Sequence, residues 1–120
     1  MSARKIILKD ALARAREITI TVTGRKSGRR ISIPVWFVME QHQLYLLPVE
    51  GSATQWFKNV LENPSIQAEA GGARGQFKAV PMTDAKKVLS VVEKFRAKYG
   101  EGDVKKYYSK FDVAIVAGMS

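Results

Sequence analysis

Apolar and polar residues change rhythm several times along this chain, and each change marks an element. Over residues 4–15, Ile6, Ile7, Leu8, Ala11, Leu12 and Ala15 recur near helical spacing, with Lys5, Lys9, Asp10 and Arg14 toward water. Over residues 17–23 the period drops to two. Ile18, Ile20 and Val22 alternate with Thr19, Thr21 and Thr23, which predicts a strand with one oily and one hydroxyl-bearing face. Residues 24–30 form a polar turn with two glycines. Residues 31–40 alternate again, with Ile31, Ile33, Val35 and Phe37 on one face and Ser32, Pro34, Trp36 and Val38 on the other. Pro34 has no amide hydrogen, so this second strand is an edge or bulges there. Gln41-His42-Gln43 is a tight connection to a third strand over 44–49, and strands two and three are expected to pair as a hairpin.

Ser52-Ala53-Thr54-Gln55 has the form of a capping box. It predicts a helix with Trp56, Phe57, Val60 and Leu61 on one face, stopped by Asn63-Pro64. Residues 65–70 and 76–82 read as strands around a turn over 71–75. Thr83 is placed to cap a helix over 84–99 with Val88, Leu89, Val92, Phe95 and Tyr99 as its buried stripe. A short helix over 103–109 and an apolar strand over 112–117 follow. Runs of consecutive strands favour antiparallel pairing over a parallel βαβ sheet. The expected fold is mainly β (α+β): a barrel of about six mostly antiparallel strands with peripheral helices, one domain over 1–120.

Composition narrows the function classes. The chain has 120 residues, 46% of them hydrophobic, and no cysteine. Disulfides and thiolate-held metals are excluded. No apolar run reaches 18 residues and no signal-peptide pattern opens the chain, so a soluble cytoplasmic protein without stable membrane insertion is expected. The net charge of +9 suits nucleic acid, an anionic membrane surface, an anionic small molecule, or simply a solvated basic surface. Nucleic acid is disfavoured, because the basic cluster sits at a turn and the aromatics sit on apolar faces.

That cluster is Gly24-Arg25-Lys26-Ser27-Gly28-Arg29-Arg30. Its glycines let the backbone turn toward an anion, Arg offers forked donors and Lys a point charge. It also reads as an exposed basic hairpin turn. It is not a P-loop, since the spacing and the following helix are missing. Leu47-Pro48-Val49-Glu50-Gly51-Ser52 leads into a helix N-terminus, which favours anions and acceptor-rich rings, or is an ordinary turn. Trp36 and Trp56 are candidates to wall a flat ring or to pack the core. Tyr107-Tyr108 suits a pocket mouth or helix packing. The lone histidine, His42, falls in a turn, and carboxylates are scattered, so neither a Ser-His-Asp triad nor a metal site is expected. An enzyme built this way leaves its chemistry to a cofactor.

Thr23-Gly24-Arg25-Lys26-Ser27-Gly28, Ile33-Pro34-Val35-Trp36-Phe37-Val38, Leu44-Tyr45-Leu46-Leu47-Pro48-Val49, and Thr54-Gln55-Trp56-Phe57-Lys58-Asn59-Val60 with Asn63-Pro64 together form a recognisable pattern. It resembles the deazaflavin-dependent nitroreductase and quinone reductase family, within the pyridoxamine-phosphate-oxidase-like split β-barrels. The resemblance implies coenzyme F420, with FMN as the alternative, and hydride transfer to a quinone, nitro compound or activated alkene. It implies phosphate binding by Arg25, Lys26, Ser27 and Gly28, with Arg29 and Arg30 nearby, and a border formed by Thr19, Ile20 and Thr21. It sets the ring against Leu47, Pro48 and Val49, with Pro34, Val35 and Trp36 opposite; the reading of the residues adds Ser52 and Trp56 to the same cofactor site. A homodimer is implied as well. A split barrel holding FMN, haem or an apolar ligand without F420 reductase activity is the other reading. The family's arginine at the position of Ile31 has moved here to Arg30, which points it to the other strand face.

Overall fold

The computed structural model describes residues 2–119, with side chains from Leu8 onward; the faces expected for Lys5, Ile6 and Ile7 lie outside the described residues. The elements run α1 (Ser2–Arg14), β1 (Ile18–Thr23), β2 (Arg30–Val35), β3 (Phe37–Glu40), β4 (Gln43–Leu46), a 3-10 turn (Gly51–Ala53), α2 (Gln55–Glu62), β5 (Ser65–Ala70), β6 (Ala73–Met82), α3 (Ala85–Tyr99), α4 (Glu101–Tyr107) and β7 (Ala114–Met119).

The seven strands form one antiparallel sheet in the order β2-β1-β5-β6-β7-β4-β3. β2 and β3 are its opposite edges, yet only Trp36 separates them in sequence. A sheet whose two edges are joined by one residue has to curl on itself. The result is a split β-barrel with helices outside, an α+β fold.

Period two gives each strand an inner and an outer face. Ile18, Ile20 and Val22 point inward with Phe37, Leu44, Leu46, Ile66, Phe77 and Ile115, packed by Leu8 and Leu12 of α1 and by Trp56, Phe57 and Val60 of α2. On β3 and β4 the outer face is apolar too. Val38, Tyr45 and, just beyond β4, Leu47 meet Val88, Val91, Val92 and Phe95 of α3 and Val104 of α4.

Several expected elements change. The strand over 31–40 is two strands, and the hairpin is made by β3 and β4 alone, through Gln41 and His42 at φ 50° and 66°. Positive φ at both turn residues matches the right-handed twist of the flanking strands. β6 starts at Ala73 rather than 76, because Gly71 and Gly72 suffice for the turn. Asp84, not Thr83, caps α3, accepting from the Lys87 amide at 3.1 Å. Leu61 and Leu89 are exposed, and Val91 takes Leu89's place in the buried stripe. Ser52 is no helix cap. Thr54 holds the cap position of α2, and its hydroxyl accepts from the Glu50 amide instead of capping.

Candidate functional site

Where the barrel is split, edge strand β2 faces the chain leaving β4, and a cavity of about 490 Å3 opens between them. β2 pairs only with β1, so alternate backbone N–H and C=O groups look into the split. Six of the expected residues line the cavity: Pro34, Val35, Trp36, Leu47, Val49 and Trp56. Tyr107 and Tyr108 close it from α4 and just beyond, and Glu17 and Asp103 are its charged members.

Trp36 is held flat. Its ring stacks on Tyr99 at 4.2 Å and 8°, and meets Tyr107 edge-on at 5.6 Å. Tyr99 also secures the break in the barrel. Its hydroxyl accepts from the Phe37 amide at 3.0 Å and lies 2.6 Å from the Arg16 carbonyl and 2.9 Å from the Phe37 carbonyl. In the β3–β4 hairpin these Phe37 groups turn away from β4, and Tyr99 supplies their partner. Burial raises the ionisation of both Tyr99 and Tyr108 above the ordinary phenol value, so each keeps its proton.

Lys98 sits beside them. Its ammonium donates to the Phe37 carbonyl at 2.8 Å and lies 3.5 Å from the Phe37 ring centre. Burial first, and Arg16 second, push its pKa down to about 8. Unfolded, the same amine titrates near ~10.4. Between those values the unfolded chain still holds a proton that the folded chain has released, so this group makes stability rise with pH through the window. Lys98→Met should flatten the rise between pH 8 and about 10. Denaturant midpoints for both proteins at pH 7, 8, 9 and 10 measure it, and parallel curves would refute it.

The basic turn lies at the other end of β2. Lys26, Ser27, Gly28, Arg29 and Arg30 are exposed. Gly28, at φ 71°, donates its amide to the Gly24 carbonyl, and the Ser27 hydroxyl accepts from the Arg29 amide. Arg25 is also engaged within the protein. Its guanidinium donates to Asn59 Oδ1 at 2.7 Å and Gln55 Oε1 at 2.9 Å, and its own amide reaches Asn59 as well. It fastens the turn to α2. Since Asn59 is buried, Arg25→Ala should cost about 1–2 kcal/mol of stability by urea unfolding; an unchanged midpoint would show the clamp to be idle.

Between turn and cavity runs a strip of hydroxyls. The outer face of β1 and β2 pairs Thr23 with Arg30, Thr21 with Ser32 and Thr19 with Pro34, and the Thr21 and Ser32 hydroxyls are 2.9 Å apart. At about 3.3 Å per residue, Arg30 to Pro34 spans roughly 13 Å. Ile20 is not part of this strip. It is wholly buried inside the barrel, and packing uses its side chain. Pro48 is buried outside the cavity lining. Ser52 is engaged by Asp112, which accepts from its amide at 2.9 Å and its hydroxyl at 2.5 Å. Those bonds hold the Asp112 carboxyl below its ordinary value. With the Ser109 amide donating to the Val49 carbonyl, they fasten the loop carrying Val49 to the segment after α4. His42 is exposed at its turn, and no cluster of metal-ligating side chains occurs among the described residues.

The family described as "Uncharacterized protein conserved in bacteria (DUF2255)" matches residues 9–114. The chain belongs to the DUF2255 family. No curated protein sequence matches it. Similar solved structures of this DUF2255 chain include a candidate 5-nitroimidazole antibiotic resistance protein from Bacteroides thetaiotaomicron, with 12% identity, 97% of this chain and 80% of that one covered, and a TM-score of 0.74. An F420-H2 dependent reductase is similar at 16% identity, 85% and 93% coverage, and TM-score 0.65. The haem storage protein HutZ from Vibrio cholerae is similar at 15% identity, 97% and 88% coverage, and TM-score 0.66. At these identities the DUF2255 chain shares a fold with them.

Proposed function

We propose that this protein is an F420H2-dependent reductase acting on a small organic acceptor such as a quinone, nitro compound or activated alkene. One observation carries the reading. A cationic turn, a hydroxyl strip and an aromatic-walled cavity follow one another along β2, matching a ligand with a phosphate, a polyol linker and a flat ring in that order. Likeness in fold to an F420-H2 dependent reductase supports it. Bound F420 would supply hydride from its reduced deazaflavin ring. Lys26, Arg29 and Arg30 would hold the phosphate, with Ser27 and the Gly28 backbone beside them. Thr19, Thr21 and Ser32 would meet the linker. Trp36, Val35, Leu47 and Trp56 exclude water from the ring's seat, which strengthens every polar contact made there. Tyr108, protonated and at the wall, offers a donor to oxygen that gains charge on the acceptor.

The chain would act as one cytoplasmic domain and as a homodimer, with the second copy covering the open side of the split. Light scattering at micromolar concentration tests the dimer, and a monomer there would oppose it. An apolar cavity bearing two tyrosines also favours a second reading, haem binding, because a phenol can ligate haem iron. Titration of the purified protein with F420, FMN and haem, followed by turnover of reduced F420 with menadione, separates the readings. Saturable F420 binding with turnover is expected; no F420 binding at tens of micromolar would overturn the reductase.

A further inference from the structure

We infer that the outer part of the cavity selects a flat organic cation, a positively charged N-heteroaromatic, over an anion of the same shape. The inference rests on the proposed function, with the acceptor docking at the outer part of the cavity beyond the seat given to the deazaflavin ring. The chain carries 20 Lys and Arg against 11 Asp and Glu, yet among the described residues the charged ones lining the cavity are Glu17 and Asp103, both acidic and both exposed. The remaining walls are largely apolar or aromatic and include Trp36, Trp56, Tyr107 and Tyr108. Ring faces attract a cation through their quadrupole, and carboxylates at the rim add to it. Tyr107 is half exposed and stands edge-on to Trp36, so the aromatic wall continues from the mouth inward. Two cations stand against this aromatic cluster without being part of the cavity lining. Arg16 lies over the Tyr99 ring at 5.3 Å, on the residue behind Trp36, and the Lys106 ammonium lies 5.3 Å from the Tyr107 ring centre.

The local and global fields make opposite predictions, which makes the inference testable. A net charge of +9 draws anions to the molecule as a whole. The cavity lining draws cations. N-methylquinolinium, 1-methylnaphthalene and 1-naphthoate are nearly isosteric and differ in charge, so equilibrium dialysis of the three at about 20 mM salt reads the sign directly. The cation should bind about five- to tenfold more tightly than the anion, with the neutral compound between, and salt at about 0.5 M should shrink the gap. Glu17→Gln with Asp103→Asn should remove most of the preference, and both sites are exposed, so melting should hold. Tighter binding of 1-naphthoate, or a cation preference unchanged in the double variant, would overturn the inference. Dialysis needs no cofactor. If the preference appears while F420 neither binds nor turns over, the reductase reading falls and this selectivity stands.

Discussion

Gly51→Ala is expected to lower the unfolding free energy by about 3 kcal/mol. Gly51 has φ 55°, where a β-carbon strains the backbone, and that carbon would stand 2.0 Å from Asp112 Oδ1. The carboxylate would have to leave, breaking two bonds to Ser52, one of them a short hydroxyl–carboxylate contact. The damage reaches the site, since Val49 lines the cavity two residues earlier. Chemical denaturation of the two proteins measures the loss. A change under about 0.5 kcal/mol, the ordinary range of a surface substitution, would mean that the loop carries no such constraint. Asp112→Asn should lose less, because its amide keeps one acceptor for Ser52.

Tyr99→Phe should cost about 2 kcal/mol, although it removes a single oxygen. The Phe37 amide would lose its partner inside a residue with no exposed surface, and an unsatisfied buried N–H costs more than an average hydrogen bond is worth. The stacking partner of Trp36 remains, so cavity shape should survive better than stability. Urea unfolding with tryptophan emission follows both. Wild-type stability in the variant would show that water replaces the hydroxyl at the strand break.

The alternation of Ile18, Ile20 and Val22 with three threonines was readable from sequence because one strand with one wet face writes its geometry into adjacent residues. The break at Trp36 was not. Alternation continues from Ile33 through Val35 to Phe37, and a period of two does not record that the partner strand changes from β1 to β4. Pro34 marked the edge without revealing that two opposite edges meet there. Ser52 and Arg25 show a second limit. Both sit in local patterns, a capping box and a basic turn, whose donors are taken by residues far along the chain: Asp112 for Ser52, Gln55 and Asn59 for Arg25. Trp36, Trp56, Leu47 and Val49 were found as candidate walls, and the cavity brings them together. Glu17 and Asp103 carried no local signal. They are ordinary surface carboxylates until α4 packs across the split.

The central claim is that one ligand lies along β2 with its phosphate on the turn and its ring in the cavity. The most direct measurement is the affinity of wild type and of a Lys26→Ala, Arg29→Ala, Arg30→Ala variant for F420 and for the same deazaflavin lacking its phosphate tail. Each charged contact is worth about 1–3 kcal/mol, so wild type should favour F420 at least tenfold. The triple variant should bind the two compounds alike, retaining the ring's share of the affinity. Equal binding of both compounds by wild type, or an undiminished preference for F420 in the variant, would contradict the account.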